Sequence, residues 1–117
     1  LKNLKLLKTI VNAADDKHAE DIVILDVQQL TAVADQFVIM QADSQRQVQA
    51  IAEEIEEKVT AEDYQISQID GKNSKSWILI DLGDVIVHIF QTETRKFYNL
   101  EKLWSQAPQL DLGQLTE

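Results

Sequence analysis

The chain has 117 residues, 44% of them hydrophobic, and its 20 acidic and 11 basic side chains give a formal net charge of −9. That length carries one domain with a real core and not two, and the apolar content excludes a disordered polar chain. The acidic balance argues against unaided binding to a nucleic-acid backbone, which takes clustered Lys and Arg to displace counterions, and it suits a basic protein as partner.

Leu4, Leu7, Val11 and Ala14 recur at helical spacing between Lys2, Lys5 and Lys8, which predicts an amphipathic helix over residues 2–17. Residues 21–27 form a short apolar run rich in β-branched side chains, read as a buried strand, and a polar connection over 28–35 leads to a second strand over 37–41. Ser44 with Gln47 three residues later is a capping-box signature for a second helix, whose buried stripe is Val48, Ile51, Ala52, Ile55 and Val59. Its Glu53, Glu54, Glu56 and Glu57 read as a solvated face. Alternation over 64–70 predicts an exposed or edge strand, and 71–76 a polar loop.

Residues 77–90 then read as two apolar strands joined by Gly83-Asp84, a tight-hairpin signal because Gly takes the positive φ such turns require. A short helix or turn over 92–103 carries Phe97, Tyr98, Leu100 and Leu103, with Trp104 beside it. The pattern predicts an α+β fold: a mixed sheet of about five strands with helices packed on it, strand order undetermined. A single domain over 1–104 is expected, followed by a loosely ordered tail over 105–117 that contains the sole proline, Pro108.

With no Cys, disulfides, thiolate metal sites and a thiol nucleophile are excluded. No apolar run approaches the ~20 residues of a membrane span, and no cleavable signal peptide is visible. A cytoplasmic protein without membrane attachment is the expectation, with a removed organelle transit peptide as the alternative. Three glycines leave little material for a phosphate cradle, and no Ser-His-Asp order or His-Glu helix motif occurs.

Asp81, Asp84 and His88 are the one cluster that could serve catalysis or a divalent metal. Strand period puts His88 on one face with Ile86 and Phe90, and a His among apolar neighbours is more often a hydrogen-bonded structural residue than a ligand. No catalytic residue, metal or cofactor is therefore assigned. His18 reads as a helix-end residue near the negative end of the dipole. Trp104 fits a core or core-edge position, following Leu100 and Leu103 at helical spacing. Trp77 is the better candidate for an interface anchor, since it shares its strand face with Leu79 and Asp81, whereas Ile78, Ile80 and Leu82 form a more core-like face opposite.

Five stretches taken together resemble the ribosomal silencing factor family, also called the Iojap or RsfS family: residues 19–27 (AEDIVILDV), 34–39 (ADQFVI), 44–48 (SQRQV), 77–90 (WILIDLGDVIVHIF) and 95–104 (RKFYNLEKLW). The match covers about residues 4–104. Ala42-Asp43 stand where the family commonly has a Gly-Thr-like pair, and the tail from Ser105 lies outside the pattern. The resemblance implies a nucleotidyltransferase-like fold without the catalytic motif, and no enzymatic reaction. It implies binding to the large ribosomal subunit through its fourteenth ribosomal protein, which blocks subunit joining and lowers translation, and a homodimer through an overlapping face. Carried onto this chain, the partner-binding residues are Trp77, Leu79, Asp81, Leu82, Asp84 and His88. The competing readings are a nucleotidyltransferase-like or metal-dependent enzyme using Asp81, Asp84 and His88, and a large-subunit assembly factor.

Overall fold

A computed structural model describes residues 3–111 and 113. The element order is α1 (Leu4–Asp16), β1 (Glu20–Asp26), β2 (Gln36–Ala42), α2 (Gln45–Ala61), β3 (Gln68–Asp70), β4 (Trp77–Asp81), β5 (Val85–Gln91), α3 (Thr92–Tyr98), α4 (Leu100–Leu103) and β6 (Gln109–Leu110). The strands make one six-stranded sheet in the order β3-β4-β5-β2-β1-β6. All pairings are antiparallel except β2 with β5, which run parallel in register from Gln36↔Val85 to Ala42↔Gln91. The α+β class with a mixed sheet is as the sequence predicts.

Alternation along the strands divides the apolar residues between two cores. On one face Ile24, Val38, Met40, Ile78, Ile80, Val87 and Ile89 meet Leu7, Ile10 and Val11 of α1 and Val48, Ile51, Ile55 and Val59 of α2. On the other face Leu25, Phe37, Ile39, Ile86 and Phe90 are joined by Trp77, Leu79, Leu100, Trp104 and Ala107. The first core lies under two full helices. The second is covered by short α3 and α4 and by the chain that follows them.

Three local features depart from the expected ones. Ser44 Oγ accepts from the Gln47 backbone N–H at 3.1 Å, as a capping box requires, but the Gln47 side chain turns elsewhere. Its amide donates to the carbonyls of Lys17 and His18, both at 3.2 Å, tying the start of α2 to the end of α1. Carbonyls at a helix end lack intrahelical partners, and an amide N–H₂ suits them. The strand expected over 64–70 shrinks to Gln68–Asp70, because Tyr64 and Ile66 turn into the helix-side core before the chain reaches β4. Within the tail expected to be loose, Gln109 and Leu110 pair with Leu25 and Ile24, and the Pro108 carbonyl accepts from Asp26 N–H at 2.8 Å. A proline carbonyl remains a full acceptor although its nitrogen is not a donor. Residues 112 and 114–117 of that expected tail lie outside the described residues.

Candidate functional site

The hairpin has the predicted two-residue loop. Leu82 N–H donates to the Val85 carbonyl at 2.9 Å, and Gly83 sits at φ +87 in the first central position, as a type II′ turn requires. Asp81 Oδ1 accepts from Gly83 N–H at 2.8 Å, so this carboxylate closes the turn that follows it. The Asp84 carbonyl accepts from the N–H groups of Asp35 and Gln36, at 2.7 and 3.2 Å, which pins the turn to the start of β2. The Asp84 residue itself is exposed.

Register places the candidates. Trp77 pairs with Phe90, Leu79 with His88 and Asp81 with Ile86, so these six residues lie on the sheet face away from α1 and α2. Trp77, Leu79 and Asp81 are half-buried, and with Asp84 at the turn they form one margin of that face. Leu82 does not join them. It packs against the helix-side core, because each step along a strand reverses the face.

His88 is also displaced from the expected surface role. It is only 6% exposed, so it offers a docking partner almost no area. Its ring meets the edge of Phe37 at a centroid distance of 5.3 Å, and its Nδ1 accepts from Trp77 Nε1–H at 3.1 Å. Since the indole nitrogen can only donate, Nδ1 is unprotonated and the neutral ring carries its proton on Nε2. That Nε2–H is buried with no protein acceptor. Burial lowers the pKa of His88 from 6.5 to about 4, as desolvation disfavours the charged imidazolium.

Trp77 is the hub of an aromatic group. Its ring lies 4.7 Å from Phe90 and 4.9 Å from Tyr98, and Tyr98 meets Phe97 edge-on at 5.0 Å. Tyr98 is 54% and Phe97 81% exposed, so the apolar margin continues from the hairpin onto α3. Sequence reasoning missed this extension. The signal available was two adjacent aromatics in a helix too short to bury both. Trp104 packs edge-on against Phe37 at 5.1 Å, the core-edge position expected of it.

Arg95 fixes α3 and α4 over this face. It is 7% exposed. Its guanidinium donates to Glu101 through two nitrogens, at 3.3 and 3.1 Å, to the Asp21 carbonyl at 2.7 Å and to Gln41 Oε1 at 3.2 Å. Asp21 lies at φ +50 within the register shift of β1, and its carbonyl accepts from Arg95 there. Planar forked donors make this clamp stiff.

The residues on which an enzymatic reading depends do not converge. Asp81 closes its own turn and His88 bonds Trp77, and among the described residues no three of His, Asp and Glu come together in a metal-binding group. Among the described residues, too, no helix is long and apolar enough to cross a membrane.

Comparison with known proteins agrees with this architecture. The family model described as "Ribosomal silencing factor during starvation" matches residues 2–117, so it extends through the tail that the sequence reading placed outside the pattern. The ribosomal silencing factor RsfS of Bacillus subtilis is 47% identical over 107 residues, covering 92% of this chain and 91% of that protein. A mouse protein, "Mitochondrial assembly of ribosomal large subunit protein 1", is 30% identical over 101 residues, covering 82% of this chain and 43% of its own length. A crystal structure of a Chromobacterium violaceum protein superposes with a TM-score of 0.86 at 31% identity, covering 90% of this chain and 88% of the other. With the match running nearly end to end and the hairpin, helices and sheet in place, the chain belongs to the ribosomal silencing factor family.

Proposed function

We propose that this protein docks on the large ribosomal subunit through the fourteenth ribosomal protein of that subunit, and by occupying that face keeps the small subunit from joining. Family membership is the observation that carries the reading. The geometry supports it with a margin of half-buried Trp77, Leu79 and Asp81, the exposed Asp84 turn and the exposed Tyr98 and Phe97. Such a margin offers rigid aromatic contact with carboxylates at its rim, and the −9 net charge favours a basic partner. Repression of this kind needs no reaction, because exclusion depends on the volume occupied. The same margin is also where a second copy would compete if the protein self-associates.

Sedimentation with separated subunits tests the reading. The protein should travel with large subunits and not with small ones, and its presence should reduce the joined species when both are mixed. Equal binding to both subunits, or to neither, overturns it. The name of the mouse relative favours a second reading, assistance in large-subunit assembly. Stronger binding to immature large-subunit particles than to mature ones would select that reading.

A further inference from the structure

A histidine at position 88 carries a cost to the fold. Its Nε2–H is buried without a protein acceptor, and an unpaired buried donor is a cost that phenylalanine would remove at similar volume. The same ring does one thing phenylalanine cannot, which is to accept from the indole N–H of Trp77 at 3.1 Å. Contact with the tilted rings of Phe90 and Tyr98 restrains the plane of that indole but not which of its edges turns inward. The hydrogen bond settles this, because the N–H edge must face Nδ1.

We propose that His88 is a positioning residue for ribosome docking, acting from beneath the surface by holding the indole of Trp77 in the orientation its partner meets. The inference rests on the docking face assigned above and replaces the direct-contact role expected of His88. Histidine keeps an acceptor under Trp77 that the surrounding Phe37, Ile39 and Phe90 cannot supply. Orienting a rigid anchor before binding lowers the ordering cost at the interface.

A double-mutant cycle on the full chain, read as affinity for purified large ribosomal subunits, tests this. His88→Phe should fold with an unchanged or raised unfolding midpoint and bind about three- to tenfold more weakly, the cost of ordering one interface side chain that is no longer held in place beforehand. In a Trp77→Phe background, which has no indole N–H, His88→Phe should change affinity less than about twofold, since coupled residues fail to add. His88→Asn places an amide oxygen near the Nδ1 position. It should retain the downfield proton resonance of the Trp77 indole N–H, assigned by its loss in Trp77→Phe, whereas His88→Phe should move it upfield. Equal losses from His88→Phe in both backgrounds, or none in the wild-type background, overturn the positioning role. Wild-type affinity in Trp77→Ala would instead overturn the docking face on which the proposal stands.

Discussion

The two faces of the sheet are made by the same strands and come to different ends. On β4, Ile78 and Ile80 point to α1 and α2 and are almost fully buried, while Trp77, Leu79 and Asp81, which alternate with them, stay half-buried. The helix-side face is closed by apolar stripes from two helices, of 13 and 17 residues. The other face is closed by α3 and α4, of seven and four residues, which meet at Asn99 with φ +46 and are held down by Arg95. This short cover meets β4 at Trp77, through Tyr98, and leaves Leu79, Asp81 and the turn partly open, so one sheet carries a finished core behind and an unfinished margin in front. Contiguous apolar surface rimmed by polar groups is the usual form of a docking site.

The strongest way to break this contrast is to truncate neighbours on β4. Ile80→Ala removes a fully buried side chain under the helices and should cost about 3–4 kcal/mol of stability. Leu79→Ala, one residue away on the half-covered face, should cost about 1 kcal/mol, since part of its surface is already in water. Urea unfolding of both variants measures the difference. Equal losses would mean that the two faces are equivalent cores.

The next test uses pH. His88 titrates at 6.5 when unfolded and at about 4 when folded, because its burial is not offset by a charge partner. Between those values the unfolded chain holds a proton that the folded chain lacks. The stability tied to His88 is therefore complete above pH 6.5 and falls with pH through the folded pKa, by roughly 3 kcal/mol in all. His88→Phe has no such loss, so it should gain on the wild type as pH drops from 7 toward 4. Carboxylates titrate in both proteins and largely cancel in the difference. Parallel stability curves for the two proteins would show that His88 is not buried neutral.

How much of this was legible in the sequence follows from the range of each interaction. The helices over 4–16 and 45–61 and the hairpin over 77–91 are set by local periodicity, one cap and one glycine, and all of these can be read directly. The parallel pairing of β2 with β5 is not local, since 42 residues and a helix separate Ala42 from Val85, and no residue pattern records which edge a returning strand will choose. The strand at 109–110 is two residues long, too short for alternation to show. At the site, strand parity alone sets Trp77, Leu79 and Asp81 together. It also assigns Leu82 to the opposite face, which the transferred family pattern had overridden. Strand parity also put His88 among apolar neighbours as a hydrogen-bonded structural residue, but not the identity of its cover, which comes from Phe37 and, behind that ring, Trp104, both distant in sequence.

Trp77→Ala sharpens the comparison from the front face. Its loss should weaken ribosome binding by about 2 kcal/mol, roughly thirtyfold, as truncation of an interface anchor does. The stability cost should stay below the 3–5 kcal/mol of a fully buried aromatic, about 2 kcal/mol, because Trp77 is only partly buried, between Phe90 and an exposed Tyr98. Affinity and unfolding measured on one preparation separate the two terms. A full core-sized loss of stability with unchanged affinity would make Trp77 a core residue and move the docking face elsewhere.

The smallest effect belongs to the turn. Two nearby carboxylates differ there in what they do for the fold. Asp81 accepts from Gly83 N–H, whereas Asp84 supports the turn through its backbone carbonyl, leaving its carboxylate directed at the surroundings. Asp84→Arg should therefore change stability by no more than about 0.5 kcal/mol. Charge reversal at an interface rim slows association with a basic partner and flattens its salt dependence rather than removing contact area. The expected loss is about 1 kcal/mol at low salt, shrinking as ionic strength rises past the point where the Debye length is about 10 Å. Affinity for large subunits at two salt concentrations, with circular dichroism as the control for folding, decides it. A native spectrum with wild-type affinity at low salt would remove Asp84 from the docking margin and leave the aromatic side of the face to carry recognition alone.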